Sequence, residues 1–414
     1  MGRLAPTGVT DIYSDEARHQ LGSVINAEAT AGTSSRAVDA AARWKVLETY
    51  GTPFFYALFG TLSTGDYDLD SAVWQLVGIG CLLAGILAMG RVFGYPIYVS
   101  LIAAAVVIGT SQALFSDVRT GNVSELQVGL MALFIVMRAR WRTARGTLAA
   151  GVLLGLSVAF KPNIALVPVP LIVLWLIDRR FSTLVRQVGG MALGGVIALV
   201  IGTLAWGSIQ PWFDWIGSVG ALGGQAAYTI ADGNYALSRL LLENAGVNTP
   251  TVLLLVLIVA SIGAMGLGAY RQRGPTLGRR PVVAVGRLGD PDDDNFEREC
   301  LVVGVAVAIV LLASPLSWLF YYLLLIPIQL FLLRWRPGVA PVGQAIRVAL
   351  IALTLVLCAL HPIGAPGPNP FDPAWFAVEM ILATAIVFAL AIIELAGWGL
   401  PAAPRLSVEY APKG

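Results

Sequence analysis

Apolar segments separated by short polar connections recur along nearly the whole chain. Their length and spacing predict about eleven membrane crossings, although several segments are shorter than the roughly 20 residues that a full helical span prefers. The predicted spans are Ser71–Met89, Tyr95–Phe115, Val123–Met137, Thr147–Phe160, Pro162–Ile177, Val188–Gly207, Thr251–Tyr270, Leu301–Ala313, Leu316–Leu333, Ala345–Leu360 and Ala374–Ala396. We therefore expect an all-α fold, a polytopic bundle of transmembrane helices.

The composition is that of a membrane protein. Hydrophobic residues make up 57% of the chain, charged residues 13%, and the mean hydropathy is +0.75, values that exclude a soluble globular domain of this size. The arginines are gathered in particular loops, so we expect no basic surface for nucleic acid. Cys81, Cys300 and Cys358 have no metal-ligand spacing, and His19 and His361 are the only histidines. No cofactor is expected, while a requirement for a divalent metal stays open.

The basic residues fall in alternate loops, on one side of the predicted bundle. Because arginine and lysine accumulate on the cytoplasmic side, the opposite loops are expected to face outward. This predicts an extracytoplasmic segment 1–70 with interfacial helices, a bundle over 71–400 and a cytoplasmic tail 401–414. The bundle would include an extracytoplasmic loop at 208–250 and a cytoplasmic loop at 271–299. We expect a multi-pass protein of the plasma membrane.

The N-terminal segment raises a topological problem. With about eleven crossings and a cytoplasmic C terminus, it would lie outside although no signal peptide or first membrane helix precedes it. We therefore expect a missing leading span, owing to an upstream start codon or to truncation; alternatively, one short span has been miscounted. Trp44–Leu62 is interrupted by Gly51 and Pro53, which is typical of a helix that lies at the interface.

The apolar stretch Gly146–Ile177 is interrupted near its middle by Lys161-Pro162-Asn163 and is bracketed by arginines. If both ends stay in the cytoplasm, Lys161 lies at the far turn. Each arm has about 15 residues, or about 22 Å of helix, against a hydrocarbon core of about 30 Å. A cation in such a place is costly unless it is paired, and a lipid phosphate is a natural partner. The structural alternative is a lysine that snorkels at a helix end.

Five motifs occur in an order that resembles the membrane glycosyltransferases of class C. They are Thr10-Asp11-Ile12-Tyr13-Ser14-Asp15, then Tyr50-Gly51 with Pro53, Gly121-Asn122, Phe160-Lys161-Pro162 and Ser314-Pro315-Leu316-Ser317-Trp318. The ordered set is most similar to glycosyltransferase family 87, which includes polyprenyl-phosphate-mannose-dependent mannosyltransferases of bacterial envelopes. The resemblance covers nearly the whole chain and implies a bundle of the same class.

The resemblance also implies roles for particular residues. Asp11 corresponds to the general base that deprotonates the acceptor hydroxyl, and Asp15 is a second candidate that would share a helical face with it. Lys161 corresponds to a basic position near the donor phosphate. Gly121 and Asn122 correspond to a pattern that usually reads glycine-glutamine, so that the amide is kept with a shorter reach.

Further substrate contacts are expected from Asn163, Ser314, Trp318 and Tyr321. The serine-proline-x-serine-tryptophan motif continues in many relatives with one or two histidines, whereas Phe320, Tyr321 and Tyr322 follow here. This departure puts a histidine-assisted step in doubt. Tyr321 offers a hydroxyl but no proton shuttle at neutral pH.

Each of these residues also has a structural interpretation. Asp11, Asp15, Asn122 and Asn163 stand near predicted helix starts, where capping explains them. Ser314-Pro315 suits the end of one helix and the start of the next, and Trp318 suits packing or the membrane interface. Asp117 and Glu125 flank the glycine-asparagine turn, and a substrate or metal role for them is a weaker hypothesis.

The favoured hypothesis is an enzyme that moves a hexose, mannose first, from a polyprenyl-phosphate sugar to a lipid or glycan acceptor on the extracytoplasmic side. Its partners would be that donor, the acceptor and membrane lipids. A secondary transporter is a rival, although no internal repeat supports it. A non-catalytic scaffold of the same fold is another. Which sugar and acceptor are used, and what oligomer forms, are left open by the sequence.

Overall fold

The computed structural model describes residues 12–31, 51–64, 66–222, 229–230, 233–273, 291–334, 341–359 and 373–397. Most of the described residues are helical, and they contain no strand. The helices are α1 Asp15–Ala31, α2 Pro53–Leu62, α3 Tyr67–Val92, α4 Ile97–Thr110, α5 Gln112–Thr120, α6 Ser124–Arg140, α7 Ala144–Phe160, α8 Pro168–Ile177, α9 Phe181–Trp206, α10 Gln210–Leu222, α11 Leu237–Ala245, α12 Pro250–Arg273, α13 Pro291–Ala313, α14 Ile326–Leu333, α15 Pro341–Ala359 and α16 Pro373–Leu395. This confirms the all-α polytopic fold.

Five of these helices, α3, α9, α12, α15 and α16, are long and apolar enough to cross a membrane. The bent pair α4 and α5 would make a sixth span. Shorter apolar helices occur at Pro53–Leu62, Ala144–Phe160, Pro162–Ile177 and Leu319–Leu333. Helices α6 and α13, which contain most of the expected spans Val123–Met137 and Leu301–Ala313, are not among these candidates.

Three of the expected spans are broken in the structure. A bend of 62° separates α4 from α5 inside the segment Tyr95–Phe115, because the Ser111 hydroxyl accepts the Leu114 N–H and starts a new helix. A 3₁₀ turn, Pro162–Ile164, precedes α8, and a 3₁₀ helix, Leu319–Leu325, precedes α14. All three breaks lie where serine or proline supplies a helix start.

Both ends of the segment 271–299, which was expected to be a loop, are helical. Helix α12 extends to Arg273 and α13 begins at Pro291. Within α13, Glu299 is buried. Residues 274–290 lie outside the described part of the chain.

Helices α7 and α9 pack with their backbones in contact. A Cβ atom added to Gly190 would lie 2.3 Å from the carbonyl oxygen of Leu148, and one added to Gly194 would lie 2.4 Å from that of Val152. Such small residues allow membrane helices to approach closely. The pair therefore forms a rigid support that ends at Phe160, directly before the Lys161 turn.

A buried ionic cluster lies near the C-terminal end of α6. Glu299 accepts hydrogen bonds from Arg138 at 2.8 and 2.9 Å, from Arg180 at 2.7 Å and from the Trp175 indole at 2.9 Å. We call these four residues the Glu299 cluster. The sequence assigned Arg138 and Arg180 to cytoplasmic loops, whereas the structure uses them to join α6, α8, α9 and α13. A second buried ion pair, Arg298 with Asp178 at 2.7 Å, lies nearby.

Candidate active site

Lys161 lies in the connection between α7 and the 3₁₀ turn, in an extended conformation (φ −150°, ψ 110°). This conformation is expected of a residue that precedes proline. Its ammonium group donates to the Asn122 side-chain oxygen and, at 3.5 Å, to the Ser124 hydroxyl. The lysine is thus engaged by the turn before α6, which differs from a lysine that snorkels toward the headgroups.

Two aromatic rings complete the surroundings of the ammonium group. The ring centroids of Phe320 and Tyr321 lie 5.2 and 4.9 Å from Lys161 Nζ, within the range of a cation–π interaction. Among the described residues no carboxylate is at salt-bridge distance from this lysine; Asp117 and Glu125 act on it only through space. We call Asn122, Ser124, Lys161, Phe320 and Tyr321 the Lys161 cluster.

The turn between α5 and α6 presents Asn122 to the lysine. Gly121 ends α5 with φ +63°, a conformation that favours glycine, and nothing lies near the position of a Cβ atom there. Asn122 also accepts the Val123 N–H at 2.8 Å. The start of α6 is held by the buried Asp117, whose carboxylate accepts the N–H groups of Ser124 and Glu125 at 2.9 and 3.3 Å. The capping role considered for Asn122 therefore belongs mainly to Asp117.

Asn163 holds the other side of the Lys161 turn. Its side-chain amide forms a reciprocal pair with that of Gln127, at 2.6 and 3.0 Å. Gln127 also donates to the carbonyl oxygen of Lys161 at 3.3 Å. Asn163 thus fixes the lysine backbone through α6 instead of capping a helix, and it does not contact the ammonium group.

The two candidate bases are placed differently by the structure. Asp11 lies outside the described residues. Helix α1 begins at Asp15, and the Ser14 hydroxyl accepts the Ala17 N–H at 3.2 Å. Because residues 12–14 precede the helix, the helical face expected to join Asp11 and Asp15 does not extend back through them.

The residues that follow Asp11 are anchored near the Lys161 turn. Ile12 is fully buried, and the Tyr13 hydroxyl donates to the Gly51 carbonyl at 2.9 Å. Burial raises the pKa of this phenol well above its usual value, and Tyr56 and Asp214 add to the shift, so that Tyr13 stays a donor. The neighbouring Thr52 donates to the carbonyl of Ala159 at 2.5 Å. One short segment therefore connects Ile12-Tyr13 with the end of α7.

The Ser314–Trp318 motif forms a tight turn after α13. The Ser314 hydroxyl donates to the Leu316 carbonyl at 2.8 Å, so it closes its own turn, as the helix-end interpretation expected. Trp318 stacks on Phe320 with ring centroids 6.3 Å apart. Trp318 therefore supports the ring that faces Lys161, and of the three expected contacts here only Tyr321 reaches the ammonium group itself.

The described residues include no group of three or more His, Cys, Asp or Glu side chains that could hold a metal ion. The arrangement around Lys161 instead offers one cation, surrounded by neutral acceptors and aromatic faces. Such a group can bind an anion and stabilise charge that develops on it.

The comparison with known protein families matches residues 49–288 to the model of glycosyltransferase family 87. The chain belongs to glycosyltransferase family 87. A polyprenol-phosphate-mannose-dependent alpha-(1-2)-phosphatidylinositol pentamannoside mannosyltransferase of Mycobacterium tuberculosis (strain CDC 1551 / Oshkosh) is 24% identical to it over 344 residues. That similarity covers 80% of this chain and 70% of the relative. No solved structure gives a significant match.

Membership in family 87 makes this chain a membrane glycosyltransferase and favours this hypothesis over a secondary transporter. The region matched to the family contains Gly121, Asn122, Lys161 and Asn163. Asp11, Asp15, Ser314, Trp318 and Tyr321 lie outside the matched region. The roles expected of all nine residues stay predictions.

Several residues around the candidate site carried no recognisable signal in the sequence. Ser124 and Gln127 read as ordinary polar positions at a helix start, and Thr52 read as part of an interfacial helix. Asn234, which binds the Ser314–Trp318 turn, stood in a loop without a motif. Their partners lie between 34 and 107 residues away along the chain, so that only the tertiary structure reveals them.

Proposed function

We propose that this glycosyltransferase moves a hexose, with mannose as the first candidate, from a polyprenyl-phosphate sugar to a hydroxyl group of an envelope glycolipid or glycan. The transfer would take place at the extracytoplasmic face of the plasma membrane. The choice of donor follows the name of the mycobacterial relative and the chemistry of the Lys161 cluster.

The observation that carries the proposal is the ammonium group of Lys161. It is held by Asn122 and Ser124, and no carboxylate among the described residues is at salt-bridge distance. A half-buried cation of this kind is stabilised by binding an anion. The phosphate of a lipid-linked sugar supplies that charge at the depth of the membrane interface.

The reaction needs few groups. As the acceptor oxygen forms a bond to the anomeric carbon, the bond from that carbon to the phosphate oxygen breaks. The acceptor proton passes to the general base, for which Asp11 is the first candidate and Asp15 the second. The electron pair of the broken bond stays on the phosphate, where Lys161 stabilises it. One carboxylate suffices for such an inverting transfer because the leaving phosphate needs no proton.

The anchoring of Ile12 and Tyr13 supports Asp11 as the base. Tyr13 binds Gly51 and Thr52 binds Ala159, two residues before the lysine. These contacts join the residues that follow Asp11 to the end of α7. A base at position 11 would need such support to act together with the phosphate site.

The proposal includes no resident cofactor. The positive charge of Lys161 serves the leaving phosphate in the role that a metal ion has in other transferases. Transfer assayed with and without a chelator such as EDTA tests this part, and an equal rate in both is expected.

The test is sugar transfer in membranes from cells that express the chain, supplied with radiolabelled polyprenyl-phosphate-mannose and total envelope lipids. The wild-type chain should form a labelled lipid or glycan. Asp11→Asn should abolish that product while the protein still accumulates, and Lys161→Met should reduce it strongly. Asp68→Asn, at an exposed carboxylate near the start of α3, is the matched control and should be as active as wild type.

The outcomes separate the parts of the proposal. Loss of product with Asp15→Asn but not with Asp11→Asn would move the base to the second candidate. Transfer that survives both Asp→Asn changes and Lys161→Met would contradict the site. No product with any polyprenyl-phosphate sugar would contradict the donor class.

A further inference from the structure

A buried asparagine that belongs to none of the predicted motifs lies in the segment between α10 and α11. Asn234 is only 1% exposed, although it belongs to an irregular segment. A buried amide is costly unless its donors and acceptors are satisfied. Its hydrogen bonds therefore indicate what this segment holds in place.

Two side-chain hydrogen bonds join Asn234 to the Ser314–Trp318 turn. Its amide nitrogen donates to the Pro315 carbonyl at 2.9 Å, and its amide oxygen accepts the Ser317 N–H at 2.9 Å. The next residue, Tyr235, donates its N–H to the Ser317 carbonyl at 2.8 Å. Asn234 and Trp318 form an antiparallel bridge.

Two further bonds fix the ends of this contact. The Ser238 hydroxyl donates to the Ser314 carbonyl at 2.7 Å, and the Tyr322 hydroxyl donates to the Tyr235 carbonyl at 2.8 Å. We call residues 233–238 the strap. The strap holds residues 314–322 at the start, in the middle and at the end.

The residues held by the strap include the two rings over Lys161. Phe320 and Tyr321 lie between Ser317 and Tyr322, which both bind the strap. Trp318, paired with Asn234, stacks on Phe320. A shift of the turn would therefore move both rings relative to the lysine.

We infer that Asn234 is a positioning residue for the donor phosphate, because it fixes the turn that sets Phe320 and Tyr321 against Lys161. This role deepens the proposed function and rests on it. Asn234 does not touch the lysine; it acts through the two rings, which limit the directions that the ammonium group can take.

The test measures binding of polyprenyl phosphate, the lipid product of the donor, to the purified full chain in detergent, by the change in tryptophan fluorescence on titration. Asn234→Ala should raise the dissociation constant about tenfold, as expected if both aromatic faces are displaced from the ammonium group. In the transfer assay it should raise the donor KM while kcat changes little. Asn244→Ala, at an exposed asparagine of α11 whose amide binds only its own helix, is the matched control and should bind like wild type.

A purely structural role is separated by combining Asn234→Ala with the double variant Phe320→Leu/Tyr321→Leu. If Asn234 acts through the two rings, it should add less than a factor of about two in this background, since coupled positions are not additive. If the increases in the dissociation constant from Asn234→Ala and from the ring substitutions multiply in full, the inference is overturned. An unchanged dissociation constant with Asn234→Ala alone would also overturn it. If Asn234→Ala does not accumulate, Ser238→Ala removes one bond of the strap and should weaken binding in the same direction; unchanged binding would then overturn the inference.

This experiment keeps the two hypotheses apart. A wild-type chain that binds polyprenyl phosphate but transfers no sugar contradicts the proposed function, and the binding data still decide the role of Asn234. A wild-type chain that does not bind polyprenyl phosphate overturns both.

Discussion

Helix α6 carries a cluster of buried charge near each end, and the charged groups of the two clusters differ in how they are paired. Ser124 at its first residue belongs to the Lys161 cluster, and Arg138 near its last belongs to the Glu299 cluster. At about 1.5 Å per residue the two positions are about 21 Å apart along the helix. The two clusters therefore lie at opposite ends of one rigid element.

The Glu299 carboxylate is saturated with partners. Arg138, Arg180 and Trp175 give it four hydrogen bonds of 2.7 to 2.9 Å. Lys161 has one short contact, one at 3.5 Å and two aromatic faces. The Glu299 carboxylate is fully bonded by groups of the fold, so it holds helices together. The Lys161 ammonium group is in contact with neutral groups, so it can still bind an anionic ligand.

The largest expected effect is on folding, from Glu299→Ala. Two guanidinium groups would stay buried without their carboxylate, and removal of one member of such a cluster typically costs about 3–5 kcal/mol. We expect this variant to unfold at a much lower temperature or not to accumulate, as measured by thermal unfolding in detergent. Glu297→Ala is the control, because this more exposed carboxylate pairs with Arg334 and exposed pairs contribute about 1 kcal/mol or less. Equal stability of both variants would contradict the structural role given to the Glu299 cluster.

Lys161→Met should act on the reaction and leave the fold intact. Removing a group that stabilises developing charge lowers kcat by about 10²–10³-fold, while the unfolding temperature should stay near that of wild type. Lys161→Arg keeps the charge with a different shape and should retain part of the activity. A strong loss of stability with Lys161→Met would mean that this cluster, too, mainly supports the fold.

Asn122→Asp would convert the open cluster into a paired one. A carboxylate in contact with Lys161 would satisfy the ammonium group and repel the donor phosphate, so the donor KM should rise by about tenfold, a cost of about 1.4 kcal/mol. Stability should be unchanged or higher. Asn122→Ala removes the acceptor without adding charge and should raise the donor KM less than Asn122→Asp does. A larger increase with Asn122→Ala would show that the Asn122 amide matters more for donor binding than the absence of a carboxylate does.

Tyr321→Leu should give the smallest change. An aromatic face over a cation contributes about 0.5–1 kcal/mol at a partly exposed site, which corresponds to a factor of about two to five in donor affinity. Tyr321→Phe keeps the face and should bind the donor like wild type. Weaker binding with Tyr321→Phe would assign the effect to the hydroxyl group.

The sequence predicted the helices well and their connections unevenly. Apolar length located the helices, and the position of Lys161 at a turn followed from the arginines on both sides. The bend at Ser111 was missed because the segment from Tyr95 to Phe115 is apolar throughout its middle. A serine in such a segment does not by itself predict a break in the helix. Here the hydroxyl caps a new helix.

The partners of charged residues were beyond sequence reasoning. Charge bias assigned Arg138 and Arg180 to water-facing loops, yet Glu299 lies 161 and 119 residues away from them along the chain. Asn163 illustrates the same limit, because a capping position and a pairing with Gln127 look alike until α6 and the turn are seen together. The helix propensity of a residue predicts only its local backbone conformation. These side-chain contacts depend instead on which helices pack against each other.

The glycine contact between α7 and α9 has a mechanical consequence. Since no side chain separates the backbones at Gly190 and Gly194, neither helix can rotate or slide without a clash or a gap. Arg180, which binds Glu299, directly precedes α9, and Lys161 directly follows α7. The packed pair therefore connects the Glu299 cluster at one end with the Lys161 cluster at the other, so that a rigid-body tilt of the pair would move both clusters.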